Sequence, residues 1–269
     1  MYRQRFGLSG HPFPKNAQGK TLFTEFDGYK KLARAFQLLT DEPGVGLLTA
    51  EPGVGKTASI RNLCHSLPQP QYRVIYLCDT AISQSDLYRS LAMELGVRPA
   101  HRRAALWRDL KARILQLVDD KNEHLVVIID EAQNLSDAFF ADFAAFLNFA
   151  FDSRDLFTTW LVGQPRLRAR LGLQHYAALQ TRLAAKVHLE AFTKRDLFQA
   201  FFAHGIAAAG AKGTIIADSA RDLLFRGSRG LPREVGKIVR RALRLAHEKA
   251  QSFVDDPVME AAIAEEADL

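Results

Sequence analysis

The stretch Leu47-Leu-Thr-Ala-Glu-Pro-Gly-Val-Gly-Lys-Thr57 decides how this chain is read. A short apolar run enters a glycine turn and leaves it as Lys56-Thr57. Glycines at these positions let backbone N–H groups close around a phosphate. A lysine next to them can place its ammonium on β and γ phosphates, and the following hydroxyl is a ligand suited to Mg²⁺. The helix expected from Thr57 onward adds the positive end of its dipole. Glu51, Pro52, Gly53, Val54, Gly55, Lys56, Thr57 and Ala58 are therefore the expected contacts of a nucleotide, with ATP and Mg²⁺ as the cofactors. Ala50 stands where the pattern usually opens with glycine, and leaves Gly53, Gly55, Lys56 and Thr57 intact.

A second motif, Leu125-Val-Val-Ile-Ile-Asp130-Glu131, has the composition of a strand buried on both faces with two carboxylates at its C-terminal end. Open parallel sheets bind their ligands at that end. Asp130 is expected to hold Mg²⁺, usually through its water, and Glu131 to orient and deprotonate an attacking water.

Apolar runs at about 45–49, 73–78, 125–129, 156–162 and 183–189 predict five strands. Between them, helical spacing marks residues 28–40, 57–66, 84–96, 101–119 and 136–151. The alternation predicts an α/β fold: a doubly wound, parallel five-stranded sheet of the phosphate-loop type. Beyond Glu190 the strands stop, and helices at 193–209, 217–226, 232–250 and 256–265 predict a small helical domain. The expected organisation is an irregular aromatic arm over residues 1–27 lying on the main domain, an α/β nucleotide-binding domain over 28–190, and a helical lid over 191–269. Pro12 and Pro14 exclude a helix around them.

Two stretches leave alternatives open. The 101–119 helix carries Arg102, Arg103, Arg108, Lys111 and Arg113 around an apolar line. This is either a solvated face or a surface for the phosphate backbone of DNA, with Arg102, Arg103 and Lys111 as the candidate contacts. The six phenylalanines between 139 and 151 make the next helix apolar over most of its surface, to be covered by core or by a partner.

With 269 residues, of which 48% are hydrophobic, the chain can fill the core of one large domain and a small one. A net charge of +6 and a pI near 9.4 suit a polyanionic partner. No apolar run approaches the length of a membrane span, and the polar residues 1–14 lack a signal-peptide core, so a cytoplasmic protein without a membrane partner is expected. Cys64 and Cys78 lie in expected core elements without metal-ligand spacing, which suits buried thiols in a reducing compartment.

With a helical lid behind the phosphate loop and the Asp-Glu strand, the chain resembles the AAA+ ATPases along nearly its whole length. Four stretches, Met-Tyr-Arg…Phe-Gly-Leu…Pro-Phe at the start, Asp-Glu-Ala-Gln at 130–133, Val-Gly-Gln-Pro at 162–165 and Arg-Gly-Leu-Pro-Arg at 229–233, are similar to one group of that superfamily. That group joins ExeA-type secretion ATPases to the transposition helpers TniB, IstB, TnsC and phage Mu B. The resemblance implies that Gln164 is the sensor-1 residue and that Arg182 is an arginine finger given to a neighbouring subunit's γ phosphate. It also implies that Arg233, with Arg229 as a rival, is the sensor-2 residue of the lid. It further implies a transposition helper: a homo-oligomeric ring or filament that assembles with ATP on double-stranded DNA, recruits a transposase, and disassembles on hydrolysis. The alternatives are a secretion-associated ATPase and a DNA-loading adaptor.

Overall fold

The structure is a computed structural model describing residues 2–267. Met1, which opens the Met-Tyr-Arg pattern, and residues 268–269 at the end of the expected lid lie outside the described residues. In chain order the helices and strands are α1 Tyr2–Arg5, α2 Asp27–Asp41, β1 Val45–Ala50, α3 Lys56–His65, β2 Tyr72–Leu77, α4 Gln84–Glu94, α5 Arg103–Leu115, β3 His124–Ile129, α6 Asp137–Phe146, β4 Phe157–Gly163, α7 Pro165–Leu171, α8 Ala177–Gln180, β5 Leu183–Leu189, α9 Arg195–Ala208, α10 Asp218–Ser228, α11 Pro232–Glu248 and α12 Asp256–Ala267. They form two compact units. A sheet unit takes Asp27–Ala50 and Leu63–Leu189; a helical unit takes the N-terminal stretch to Phe26, Glu51–Asn62 and the chain from Glu190 on.

The sheet has the expected five strands, all parallel, in the order β2-β3-β4-β1-β5. Its middle strands are apolar without alternation because both their faces are covered: every residue of β1 and β4, and all but the first of β3, is buried. The edge strands β2 and β5 alternate instead. Gly46 of β1 lies opposite Trp160 of β4, and a Cβ on Gly46 would meet the indole at 2.6 Å. The bare backbone there lets the fully buried Trp160 stack on Phe36 of α2, at 6.0 Å between ring centres.

On α6, Phe139, Phe140, Phe143 and Phe146 are buried. Phe146 packs against Tyr88 of α4 and Trp107 of α5, with centroids 5.0 and 5.4 Å away. The phenylalanines of this helix are thus core. The helix, however, stops at Phe146 instead of running to 151. The Asn148 carbonyl is taken by the Lys111 ammonium at 2.7 Å, and Ala150, Phe151 and Asp152 all turn left-handed, with φ of 47°, 59° and 63°. Phe151 is thereby turned fully into solvent. The expected 101–119 helix begins at Arg103 and widens into a π-helical turn over Gln116–Asp120. Helices α7 and α8 have no counterpart in the sequence reading. The two thiols also depart from it: Cys64 is half-buried, with burial pushing it up to about 12, but Cys78, just past edge strand β2, is exposed.

The helical unit has its own core, in which Phe198, Leu224, Val235, Val239, Leu243 and Met259 from α9 to α12 are fully buried. The N-terminal stretch supplies this core with Tyr2, Phe6, Leu8 and Phe23, and its first residues are helical. Phe13 packs on Phe201 with centroids 5.0 Å apart, and Arg240 donates to its carbonyl at 3.1 Å. Arg61 and Asn62 on α3 bind the same stretch, Arg61 by donating to the Lys15 and Ala17 carbonyls and Asn62 by accepting from the Gly19 N–H. These bonds explain why the phosphate loop and the start of α3 cluster with the arm and the lid helices.

Candidate functional site

The expected site residues fall into two sets. Glu51 to Ala58 and Arg233 belong to the helical unit, and Asp130, Glu131, Gln164 and Arg182 belong to the sheet unit.

In the first set the loop turns through Gly53 at φ +88° and Gly55 at φ +109°, backbone that side-chain-bearing residues rarely adopt. Val54 is buried and its N–H closes the turn onto the Glu51 carbonyl at 3.3 Å. The Lys56 side chain is buried, with its ammonium 3.4 Å from the Glu51 carbonyl. α3 begins at Lys56, so the first N–H groups of a ten-residue helix follow the glycines directly. The lid reaches this loop through α11. Pro232 starts that helix, and the Arg233 N–H donates to the Gly53 carbonyl at 3.1 Å. A Cβ on Gly53 would stand 3.2 Å from the Arg233 Cβ. Arg229, the rival, instead caps α10 in a left-handed conformation.

In the second set Asp130 directly follows β3 and is 2% exposed. Its Oδ1 accepts from the Glu131 N–H at 2.8 Å and its Oδ2 from the Tyr76 hydroxyl at 3.0 Å. Burial first, and Asp130 next, push the Tyr76 phenol above its usual range, which keeps it a donor. Glu131 is left-handed, at φ 51° and ψ 33°, a strained conformation of the kind that persists at functional sites. Its carbonyl is fixed by the Thr80 hydroxyl at 2.9 Å and the Asn134 N–H at 3.0 Å. Gln133 Nε2 donates to Glu131 Oε2 at 2.5 Å, while Gln133 Oε1 accepts from the Gln164 N–H at 3.0 Å. The ends of β3 and β4 are thus joined through one carboxamide.

Asp130, Glu131 and Gln164 lie together at the C-terminal edge of the sheet. Arg182 does not. It precedes β5, whose first residue pairs with Val45 at the start of β1, and so stands at the opposite edge. At about 3.3 Å per residue, a six-residue strand separates the two edges by roughly 20 Å. Arg182 is held by Asp152 at 2.5 Å and lies 3.9 Å from Asp155.

The candidate DNA contacts on and before α5 differ in availability. Arg102 is exposed, whereas Arg103 pairs with Asp142 and lies over the Trp107 ring. Lys111, besides its bond to Asn148, lies 4.7 Å from the centre of the Phe149 ring, and burial lowers its pKa.

Two residues of the site escaped the sequence reading. Gln133 stood in the quoted Asp-Glu-Ala-Gln stretch without a role. Tyr76 becomes a partner of Asp130 only once β2 is known to lie beside β3 with Tyr76 opposite Ile128, which puts Asp130 two residues on and on the same face. The donor set fits the expected cofactor: a carboxylate and a hydroxyl are the hard oxygen ligands Mg²⁺ prefers, and glycines with positive φ suit a phosphate cradle.

Among known proteins, residues 39–171 match the AAA domain family. General secretion pathway protein A of Aeromonas hydrophila is 30% identical over 253 residues, which is 90% of this chain and 44% of that protein. The chain thus spans less than half the length of this relative. In structure it is similar to the Aeropyrum pernix ORC2 protein, with TM-score 0.70 and 17% identity over 94% of this chain and 70% of that one. It is also similar to the Thermotoga maritima RuvB Holliday junction branch migration motor, with TM-score 0.60 and 14% identity over 91% and 73%. Among the described residues no helix is long and apolar enough to cross a membrane. The chain thus has the α/β phosphate-loop fold of the AAA+ ATPases and is similar to an AAA domain over residues 39–171.

Proposed function

We propose that the chain hydrolyses ATP with Mg²⁺ and acts as the nucleotide-driven part of a secretion-associated machine similar to General secretion pathway protein A. The observation that carries the placement is the 30% identity along 90% of this chain. This puts the secretion reading ahead of the transposition helper that the sequence motifs first suggest. The chemistry rests on the site. Backbone N–H groups of residues 53–57 and the Lys56 ammonium would hold the β and γ phosphates, and Thr57 and Asp130 would hold the metal. When bound, Mg²⁺ neutralises charge on the phosphate oxygens. Glu131 would take a proton from the water whose oxygen bonds to the γ phosphorus, as the bond from that phosphorus to the ADP oxygen breaks. Arg233, on the lid helix bonded to the loop, would report whether the γ phosphate is present.

Arg182, about one strand length from its own carboxylates, would serve the γ phosphate of a second copy. Turnover would then require assembly, with a homo-oligomer as the active species.

Phosphate release measured with and without Mg²⁺ tests the chemistry. Lys56→Ala should lose nucleotide binding, and Glu131→Gln should bind ATP and hydrolyse it only at a slow residual rate. A protein that binds no nucleotide under any condition would overturn the reading. Deleting the coding sequence in its host cell and measuring export of secreted proteins tests the placement. Tight, ATP-dependent, sequence-blind binding of labelled duplex DNA with unimpaired export would restore the transposition helper instead.

A further inference from the structure

Gln133 lies between the two polar ends of the sheet unit's site, and its chemistry leaves it one arrangement. Its carboxamide has one acceptor and one donor end. The Gln164 N–H, a backbone donor, faces it at 3.0 Å and demands the oxygen. That leaves the NH₂ end for Glu131 Oε2, an acceptor, at 2.5 Å. Rotating the amide by 180° would set N–H against N–H and oxygen against oxygen, so the orientation is fixed from both sides. Its backbone is fixed too: Arg170 donates to the carbonyls of Gln133 and Leu135 at 3.3 and 2.7 Å. Gln133 is 8% exposed, so neither end has ready solvent to replace a lost partner. Space for the carboxamide comes from Gly163 at the end of β4, where a Cβ would stand 2.6 Å from Gln133 Oε1.

We propose that Gln133 is the positioning residue of hydrolysis: its carboxamide holds the Glu131 carboxylate at one angle and ties that angle to the backbone of Gln164. The proposal rests on Glu131 being the base. A carboxylate carried on three rotatable bonds is otherwise free to turn, and misplacing a reacting group by about 1 Å can cost on the order of 10²-fold in rate. The bond also gives a mechanical route by which movement at Gln164 turns Glu131 toward or away from its water. No bond is made or broken in Gln133 itself.

The test uses single-turnover ATP hydrolysis by the full chain, with nucleotide affinity and thermal melting measured in parallel. Gln133→Met keeps the volume and removes both hydrogen bonds. Gln133→Glu keeps an acceptor for the Gln164 N–H and replaces only the donor that faces Glu131. Each should slow hydrolysis by about tenfold or more while ATP affinity changes by less than about twofold. Because Gln133 acts through Glu131, either substitution added to Glu131→Gln should cost nothing further, a non-additivity that a merely structural role would not give. Gly163→Ala, which crowds the carboxamide from the other side, should reproduce the loss. Should Gln133→Met melt early, the isosteric Gln133→Glu carries the test. Wild-type or faster hydrolysis in a variant with wild-type melting overturns the proposal, as does a further full loss on top of Glu131→Gln. If Glu131→Gln itself hydrolyses normally, the base reading fails and this proposal with it. A loss in Glu131→Gln with none in the Gln133 variants sinks the proposal alone.

Discussion

Removing a single oxygen at Tyr76 should change how much Mg²⁺ the protein needs. Tyr76 and Asp130 share a face of the sheet because Tyr76 is opposite Ile128 in the β2–β3 ladder and side chains two residues apart point the same way. The phenol donates to Asp130 Oδ2 at 3.0 Å, and the Glu131 N–H takes Oδ1 at 2.8 Å, so the plane of the carboxylate is set by two donors. Tyr76→Phe deletes one of them and keeps the ring. A hydrogen bond to a charged acceptor contributes about 1.5–3 kcal/mol. Tyr76 is 48% exposed, so water can replace much of it, and about 1 kcal/mol is the reasonable share. At 1.4 kcal/mol per factor of ten, that is roughly a fivefold loss in metal affinity, just below the 10–100-fold usual for groups that orient metal ligands.

The assay is ATP hydrolysis at saturating nucleotide as free Mg²⁺ is varied. The half-saturating Mg²⁺ concentration should rise about fivefold, and the rate at high Mg²⁺ should return to within about twofold of wild type. Melting without metal should hardly move. An unchanged Mg²⁺ requirement in a folded variant would refute the reasoning, because Asp130 would then need no second donor. A rate loss that no Mg²⁺ concentration restores would also refute it, by giving Tyr76 a part in the chemical step.

Mixing subunits tests the role proposed for Arg182. Arg182→Ala and Lys56→Ala should each be inactive alone and recover part of the activity together, and full turnover by Arg182→Ala alone would reduce the Asp152 pair to a structural contact. Gly46→Ala should destabilise the sheet by about 2 kcal/mol in denaturant titrations, the usual cost of overpacking, because its Cβ would stand 2.6 Å from the buried Trp160 ring. A second change, Trp160→Phe, should recover part of that loss; a fully additive double variant would mean that the strain lies elsewhere.

What the sequence makes legible here follows from where the signal is local. Val45–Ala50 and His124–Ile129 are apolar strands with a distinctive sequence directly behind each of them. The sheet, the loop and the two carboxylates could therefore be read without knowing the strand order. The 3.6 and 2.0 periodicities also located most helices, because a helix or strand buries its own stripe. Signals that depend on distant partners were not legible. Helix α7 is short and starts at a proline, and its Leu167 and Leu171 announce one turn at most. Past the end of α6 the chain turns extended at Phe149 and then runs through three left-handed residues that include no glycine, while a lysine 37 positions away takes the Asn148 carbonyl. Cys78 looked buried because β2 reads as apolar, but an edge strand has one uncovered face, and only the strand order shows that β2 is at the edge. Tyr76 and Gln133 follow the same rule. Each matters through a bond to a residue whose nearness the chain reveals only after folding: Tyr76 across the ladder to Asp130, and Gln133 to the first backbone N–H after β4. The groups that do the chemistry are legible in a motif, because the motif must reach the phosphate itself. The groups that hold them still need only reach the motif, and the fold offers many places from which to do so.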